Sequence, residues 1–373
     1  MRFIIEREEF LKGLLNASRI IQAKSLDPIL NYLKLELNDH QLEITGSNGD
    51  LSILTTIPYF SNEKQIIRDA SEGAILVNSK LITEIVKRVD GNEVKFDVMD
   101  DSIARVEAEN SNFKLNVIRA NEYREFDFEK NGIEVRLFTK DFVDAVNEVG
   151  FCASQKDGRA ILTAINIECN SSILTFTATD GARLGRKELH IENSELFNIN
   201  VPAKALLEAV RSVTNEEEVS LFISDKKVII ALTNTILNSK LIPESYPNVK
   251  NIIPKTFNYY LEVNANEILN AMSRVSLFST ERENIVKLTM QEGKIVVSSK
   301  SQQTGSAEEE LSLFKFTGDR LEISFNCDYV SGAIRALKSQ DVMISFIGEM
   351  KPFTVIDKNN ESIIQLITPV RTY

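Results

Sequence analysis

The sequence predicts an α+β protein made of three similar domains, each with two helices and antiparallel sheets. Three observations lead there. The chain has 373 residues, with 43% hydrophobic and 26% charged residues, which suits a globular protein of two or three ordinary domains. Six amphipathic helix patterns recur in pairs. Strand-like runs rich in β-branched and aromatic residues separate them.

The first helix pattern covers residues 6–24, with Phe10, Leu14, Ala17 and Ile21 on one face. The second covers 78–89 and groups Leu81, Ile85 and Val89. The others cover 139–156, 202–214, 264–282 and 326–339. Apolar residues at three- and four-residue spacing mark a helix with one buried face. Thr139, Asn264 and Asn326 are plausible caps. Between the helices lie LEITGSNGDLSILTTI, ILTFTATDGARLGRKEL and KIVVSSKSQQTGSAEEELSL. Their alternation predicts strands. Asp90-Gly91 and Asn359-Asn360 supply turn signals.

The spacing repeats. Phe10 to Ser47 and Phe142 to Thr179 are both 37 residues. Leu81, Leu206 and Val330, centred in the second helix of each pair, lie 125 and 124 apart. Such a period is too long for a solenoid repeat and has the size of a domain. The expected domains are 1–128, 132–255 and 258–373. No Pro/Gly/Ser-rich linker separates them, which favours rigid packing.

Net charge is −11. Spread evenly, it would repel nucleic acid. The six helix patterns, however, carry fifteen basic and eleven acidic residues. The acid therefore concentrates on strands and loops. Such a partition suits a protein that meets a polyanion on its helical surface. It also suits helices in which basic residues are simply good helix formers.

Candidate chemistry is sparse. Cys152, Cys169 and Cys327 are odd in number and lie far apart, which gives neither a disulfide framework nor a zinc knuckle. His40 and His190 are isolated. No phosphate loop, GxGxxG or GxSxG is present. Asp97, Asp100 and Asp101 cluster in KFDVMDDSIA. They fit a hairpin turn better than a nuclease-like metal pair. Glu308–Glu310 fits a solvated strand. The expectation is no catalytic site, no metal and no cofactor. The opening MRFIIEREEF fits no signal peptide, and no run is apolar enough to span a membrane. A cytoplasmic location with no membrane partner is expected. A metal-dependent hydrolase or a repeat scaffold without a nucleic-acid role are the competing possibilities.

Four segments then carry a resemblance along essentially the full length. They are MRFIIEREEFLKGL with DPILNYLKLEL, GRAILTAINIE with LTFTATDGARLG, SKLIPESYPNVKNIIP, and MKPFTVID with IIQLITPVRTY. In that order they resemble the bacterial DNA polymerase III β subunit family, the sliding clamps. The resemblance implies a head-to-tail homodimer closed into a ring, helices lining the hole and sheets outside. It implies duplex DNA read without sequence preference. It also implies the replicative polymerase, the clamp loader and repair proteins as partners, docking through short peptides.

The implied peptide pocket takes Arg159, Leu162, Thr179, Gly181, Ala182, Arg183 and Leu184 from the middle of the chain. Pro247, Ile252, Met350 and Pro352 follow. The C-terminal segment adds Leu366, Ile367, Thr368, Pro369, Val370 and Arg371. Ala182 departs from the larger side chain usual in the family, which opens the floor between the two halves of the cleft. Lys24, Lys80, Lys204, Arg211, Arg335 and Lys338 are the implied DNA-facing cations. Phe113, Leu277 and Phe278 are the implied subunit contacts.

Overall fold

The computed structural model describes residues 1–21, 27–61, 64–100, 102–156, 158–192, 195–279 and 284–371. Six α-helices form among them: α1 (Arg7–Ser18), α2 (Ser79–Arg88), α3 (Thr139–Gly150), α4 (Ala203–Ser212), α5 (Ala265–Val275) and α6 (Cys327–Leu337). They match the six predicted patterns but are shorter at their C-terminal ends. Asn264 and Asn326 cap α5 and α6 as expected, accepting from the amides of Glu267 at 3.2 Å and Tyr329 at 3.1 Å, whereas Thr139 is the first residue of α3 and its buried Oγ1 makes no hydrogen bond among the described residues. Asn78 does the same for α2 through Leu81 at 3.0 Å.

The buried stripe of α2 differs from expectation. Leu81 is 49% exposed, while Ile82, Ile85, Val86 and Val89 are buried. The residue equivalent to Leu206 and Val330 is therefore Ile82. All three are fully buried, and 206 − 82 and 330 − 206 both give 124.

The chain forms two compact units. The first comprises residues 1–139 and 204–241. Its thirteen-stranded antiparallel sheet begins with Ile133–Phe138, Glu218–Ile223, Lys227–Ala231 and Thr235–Lys240. It continues through Leu51–Pro58, Gln41–Ser47, Tyr32–Leu37 and Gly73–Asn78 to the strands nearer the N-terminus. Strict alternation explains these strands. Leu33, Leu35 and Leu37 point inward, while Tyr32, Lys34 and Glu36 stay partly exposed. Inside, Phe3 stacks on Phe96 at 5.1 Å and meets Phe10 of α1 edge-on at 5.8 Å. Asn16 of α1 ties the helix to the ladder between two repeats, donating to Thr55 Oγ1 at 2.9 Å and Thr235 Oγ1 at 2.8 Å.

The second unit comprises residues 140–203 and 242–373. Its nine-stranded sheet runs Phe197–Pro202, Ala164–Asn170, Ile173–Thr179, Arg183–His190, Asn360–Ile367, Phe353–Asp357, Asp341–Phe346, Tyr259–Asn264 and Phe314–Thr317. A four-stranded sheet runs Gly305–Leu311, Lys294–Ser301, Ile285–Gln291 and Leu321–Asn326. Phe325, Phe346 and Phe353 fill the core that α5 and α6 share with the strands.

The central repeat is thus divided between the two units. Its strands 218–240 extend the first repeat's sheet through Thr235–Lys240 against Leu51–Pro58. Its strands 164–190 join the third repeat through Arg183–His190 against Asn360–Ile367. Backbone ladders across the repeats satisfy strand edges that separate domains would leave open.

Candidate functional site

The loop that joins Ile173–Thr179 to Arg183–His190 is closed by its own side chains. Thr179 Oγ1 donates to the Arg183 carbonyl at 2.7 Å and accepts from the Gly181 amide at 3.0 Å. Asp180 Oδ1 accepts from the amides of Ala182 at 2.9 Å and Arg183 at 3.0 Å. Asp180 Oδ2 accepts from Arg183 Nε at 2.9 Å. Gly181 has φ +93, a left-handed conformation that favours glycine. Space is not the constraint, since an added Cβ would meet only Arg159 Nη2, at 4.0 Å.

The same turn occurs at the corresponding place in the first repeat. Ser47, Asn48 and Gly49 replace Thr179, Asp180 and Gly181. Ser47 Oγ bonds the Leu51 carbonyl and the Gly49 amide, and Asn48 Oδ1 accepts from Asp50 and Leu51. Gly49 has φ +94. The 37-residue spacing therefore counts from a buried helical phenylalanine to the first residue of a turn geometry that occurs in both repeats.

Strand register brings the predicted residues 179–184, 350–352 and 366–371 to one end of the nine-stranded sheet, whereas Pro247 and Ile252 belong to no strand of it. Arg183 and Phe353 both lie opposite Ile367. Residues 180–182, 350–352 and 368–371 consequently emerge at that end. The 3₁₀ turn Ala160–Thr163 precedes Ala164–Asn170, whose antiparallel partner is Ile173–Thr179. This brings Arg159 to Gly181. Leu184, Leu366 and Val249 form a small buried cluster, with Ile253 packed against it. Ile252 and Met350 are 49% and 48% exposed, and Pro352, Thr368, Pro369 and Val370 are half-buried. The Arg183 guanidinium lies 4.5 Å from the centre of the Tyr329 ring and 5.4 Å from that of Phe151. Apolar side chains thus lie beside the Thr179–Arg183 turn.

Ile367 does not contribute a wall. It is buried in the core with Phe353 and Phe325, because successive strand residues face opposite sides of a sheet. Leu162, Leu184 and Leu366 are buried as well. Val249 and Ile253, which pack with Leu184 and Leu366, are not among the residues expected from the sequence. Their signal was present in SYPNVKNIIP, where apolar residues flank the better-marked Ile252.

The predicted cations fall into two groups. Lys80, Lys204 and Arg335 are exposed and enter no ion pair among the described residues. Arg211 Nη1 lies 2.7 Å from Glu208 Oε1, and Lys338 Nζ lies 2.5 Å from Asp144 Oδ1. Lys24 lies outside the described residues. The helical charge excess also shrinks. Within their observed bounds the six helices carry ten basic and nine acidic residues. Arg19, Lys156 and Lys338 fall beyond the helix ends, and Lys24 and Arg282 lie outside the described residues.

Of the predicted subunit contacts, Leu277 is 76% exposed, and Phe113 and Phe278 are half-buried. Leu277 and Phe278 lie in a 3₁₀ turn after α5. Phe113 sits where Ser111–Arg119 pairs on one side only, with Ile103–Ala108; its bonds to Gly73–Asn78 begin at Val117. Gly305–Leu311, which carries Glu308–Glu310, is likewise the edge of its four-stranded sheet.

Asp97 and Asp100 belong to strand Glu93–Asp100, which forms a hairpin with Ile103–Ala108. That is the turn arrangement expected; Asp101 lies outside the described residues. All three cysteines are buried and free. Burial pushes their thiols above the ordinary range. Among the described residues no helix is long and apolar enough to cross a membrane.

Comparison with known families resolves what these surfaces belong to. The N-terminal, central and C-terminal domains of the DNA polymerase III beta subunit match residues 1–127, 136–248 and 250–371. The chain is 30% identical to the Beta sliding clamp of Bacillus subtilis over 378 residues, covering all of both chains.

The chain belongs to the β sliding clamp family.

It is also 29% identical to the Staphylococcus aureus Beta sliding clamp over 376 residues, again covering all of both. Among solved structures, the B. subtilis DNA polymerase sliding clamp superposes with TM-score 0.94 at 28% identity. The Streptococcus pneumoniae DNA polymerase III beta chain gives 0.93 at 28%. Both cover all of each chain. The three family domains agree with the threefold sliding-clamp repeat expected from the sequence.

Proposed function

We propose that this sliding clamp closes head-to-tail with a second copy into a ring around duplex DNA. It holds the replicative polymerase there by topology and performs no chemical step. Three domains, 1–128, 132–255 and 258–373, come from each copy. The protein works in the cytoplasm.

The observation that carries the DNA reading is the place of Lys80 and Lys204. Each is the second residue of its helix, α2 and α4, and the two are 124 residues apart. A cation in the first turn opposes the helix dipole. Helix stability therefore does not account for either lysine, whereas contact with phosphates does. Such contacts release counterions and carry no base information, which suits a ring that slides.

The cleft beside Thr179–Leu184 receives short peptides of the polymerase, the clamp loader and repair proteins. Apolar walls take aliphatic and aromatic anchors, and Met350 adapts to different ones. Ala182 leaves the floor of the cleft open. Phe113, Leu277 and Phe278 supply the subunit contact, where the one-sided stretch of Ser111–Arg119 and the edge strand Gly305–Leu311 offer free backbone groups.

The deciding experiment loads the protein on a nicked circular plasmid and then cuts the plasmid. Retention on the circle and loss on linearisation is the expected result. Equal retention on both forms would sink the topological reading.

A further inference from the structure

The helical layer contains acids placed against the very cations that DNA would use. Helix α3 carries one basic residue, Lys140, against Asp141, Asp144 and Glu148. Asp141 lies in the first turn, where a carboxylate suits the helix dipole. Asp144 lies beyond that turn, and aspartate is a poor helix former in a helix interior. Its side chain is 26% exposed, and its partner is Lys338 Nζ at 2.5 Å. Lys338 follows α6 with φ +52, a left-handed position ordinarily taken by glycine or asparagine. Neither residue is the natural choice of its local backbone, and the two meet across 194 positions of sequence.

We infer that Asp144 withholds Lys338 from DNA and so sets how loosely the ring grips. The inference rests on the DNA reading above. When Lys338 is paired, a phosphate approaching it meets an ammonium with a carboxylate beside it. If the lysine turns to the phosphate, Asp144 stays behind and repels the same polyanion. Lys338 then adds little net attraction and releases few counterions. Lys80, Lys204 and Arg335 have no such partner among the described residues and carry the grip. A sliding ring gains from this arrangement, because each full phosphate contact must break at every step. Glu208 stands in the same relation to Arg211. It is buried and also faces Arg19 Nε at 4.0 Å, so its removal would disturb packing. Asp144 is the cleaner test.

Binding of the full-length protein to a short fluorescein-labelled duplex, followed by anisotropy over a series of salt concentrations, gives the slope of log K against log salt. One additional phosphate contact steepens that slope by about 0.9. Asp144→Asn is expected to steepen it by about that amount. Asp144→Asn with Lys338→Gln is expected to return it to the wild-type value. Lys338→Gln alone is expected to change it far less than Lys204→Gln does. An unchanged slope in Asp144→Asn overturns the inference. If Lys80→Gln, Lys204→Gln and Arg335→Gln together still flatten the slope, only the role of Asp144 falls. If they too leave it unchanged, the DNA reading of the helices falls with it.

Discussion

Thr368 gives both its hydrogen-bond donors to one acceptor, the Ala182 carbonyl, at 2.9 Å from the backbone nitrogen and 2.8 Å from Oγ1. Two residues later the Val370 amide donates to the Ser324 carbonyl at 2.8 Å. The C-terminal segment is therefore tied to the turn at the cleft, where chain ends are usually frayed. Deleting residues 369–373 should remove the Val370 tie and cleft surface while leaving Thr368 and the ladder beneath it. The expected result is an intact dimer that no longer binds an aliphatic-aromatic peptide in fluorescence polarisation. Full peptide affinity in the truncated dimer would move the cleft elsewhere.

Asp180 organises the turn with three accepted hydrogen bonds. Asp180→Ala leaves two backbone amides and the Arg183 guanidinium without that partner. A stability loss of about 1–3 kcal/mol is expected in urea unfolding. Peptide affinity should fall as well, because Arg183 loses the contact that fixes it beside Tyr329. Asp180→Asn should retain part of both, since its side-chain oxygen still accepts. Equal stability of wild type and Asp180→Ala would remove the turn's structural role.

Leu277 is 76% exposed in the single chain. Its truncation should cost the isolated protomer almost nothing. If it packs against Phe113 of a second copy, Leu277→Ala should weaken the dimer by about 2–5 kcal/mol, the usual range for removing a large buried side chain. Sedimentation equilibrium measures this directly. A wild-type protein that is monomeric at micromolar concentration would contradict the proposed contact.

Lys187 and Glu148 form a buried pair at 2.8 Å. Burial raises the Glu148 carboxyl above its ordinary range, and Lys187 opposes that rise. The folded state then holds the Glu148 proton more readily than the unfolded chain. Its contribution to stability should fall as pH rises from the ordinary carboxylate value towards the raised one. Glu148→Gln should flatten that part of the stability–pH curve. Lys187→Met, which strands the carboxylate, should cost about 3–5 kcal/mol at neutral pH. A loss below about 1 kcal/mol would mean that water reaches the pair.

The sequence by itself determined the elements and their repetition. Helix periodicity located all six helices, and Asn264 and Asn326 began two of them, because caps and amphipathic faces are written in local spacing. The turn at Thr179-Asp180-Gly181 was read only as part of a strand-like run, although its hydrogen bonds join residues just two to four positions apart. Tertiary structure decided what local spacing leaves open. One residue turns a helix by about 100°, and packing in the first unit chose Ile82 over its neighbour Leu81 for burial. One residue also reverses a strand side chain, so Ile367 joined the large core while Leu366 joined the small cluster with Leu184 and Val249. Lys338 and Asp144 are 194 positions apart, and nothing in either segment announces the other. Their pairing needed α3 and α6 of one unit to meet. The ladders that divide the central repeat between two units arose in the same way, from strand edges that find partners only once the chain has folded.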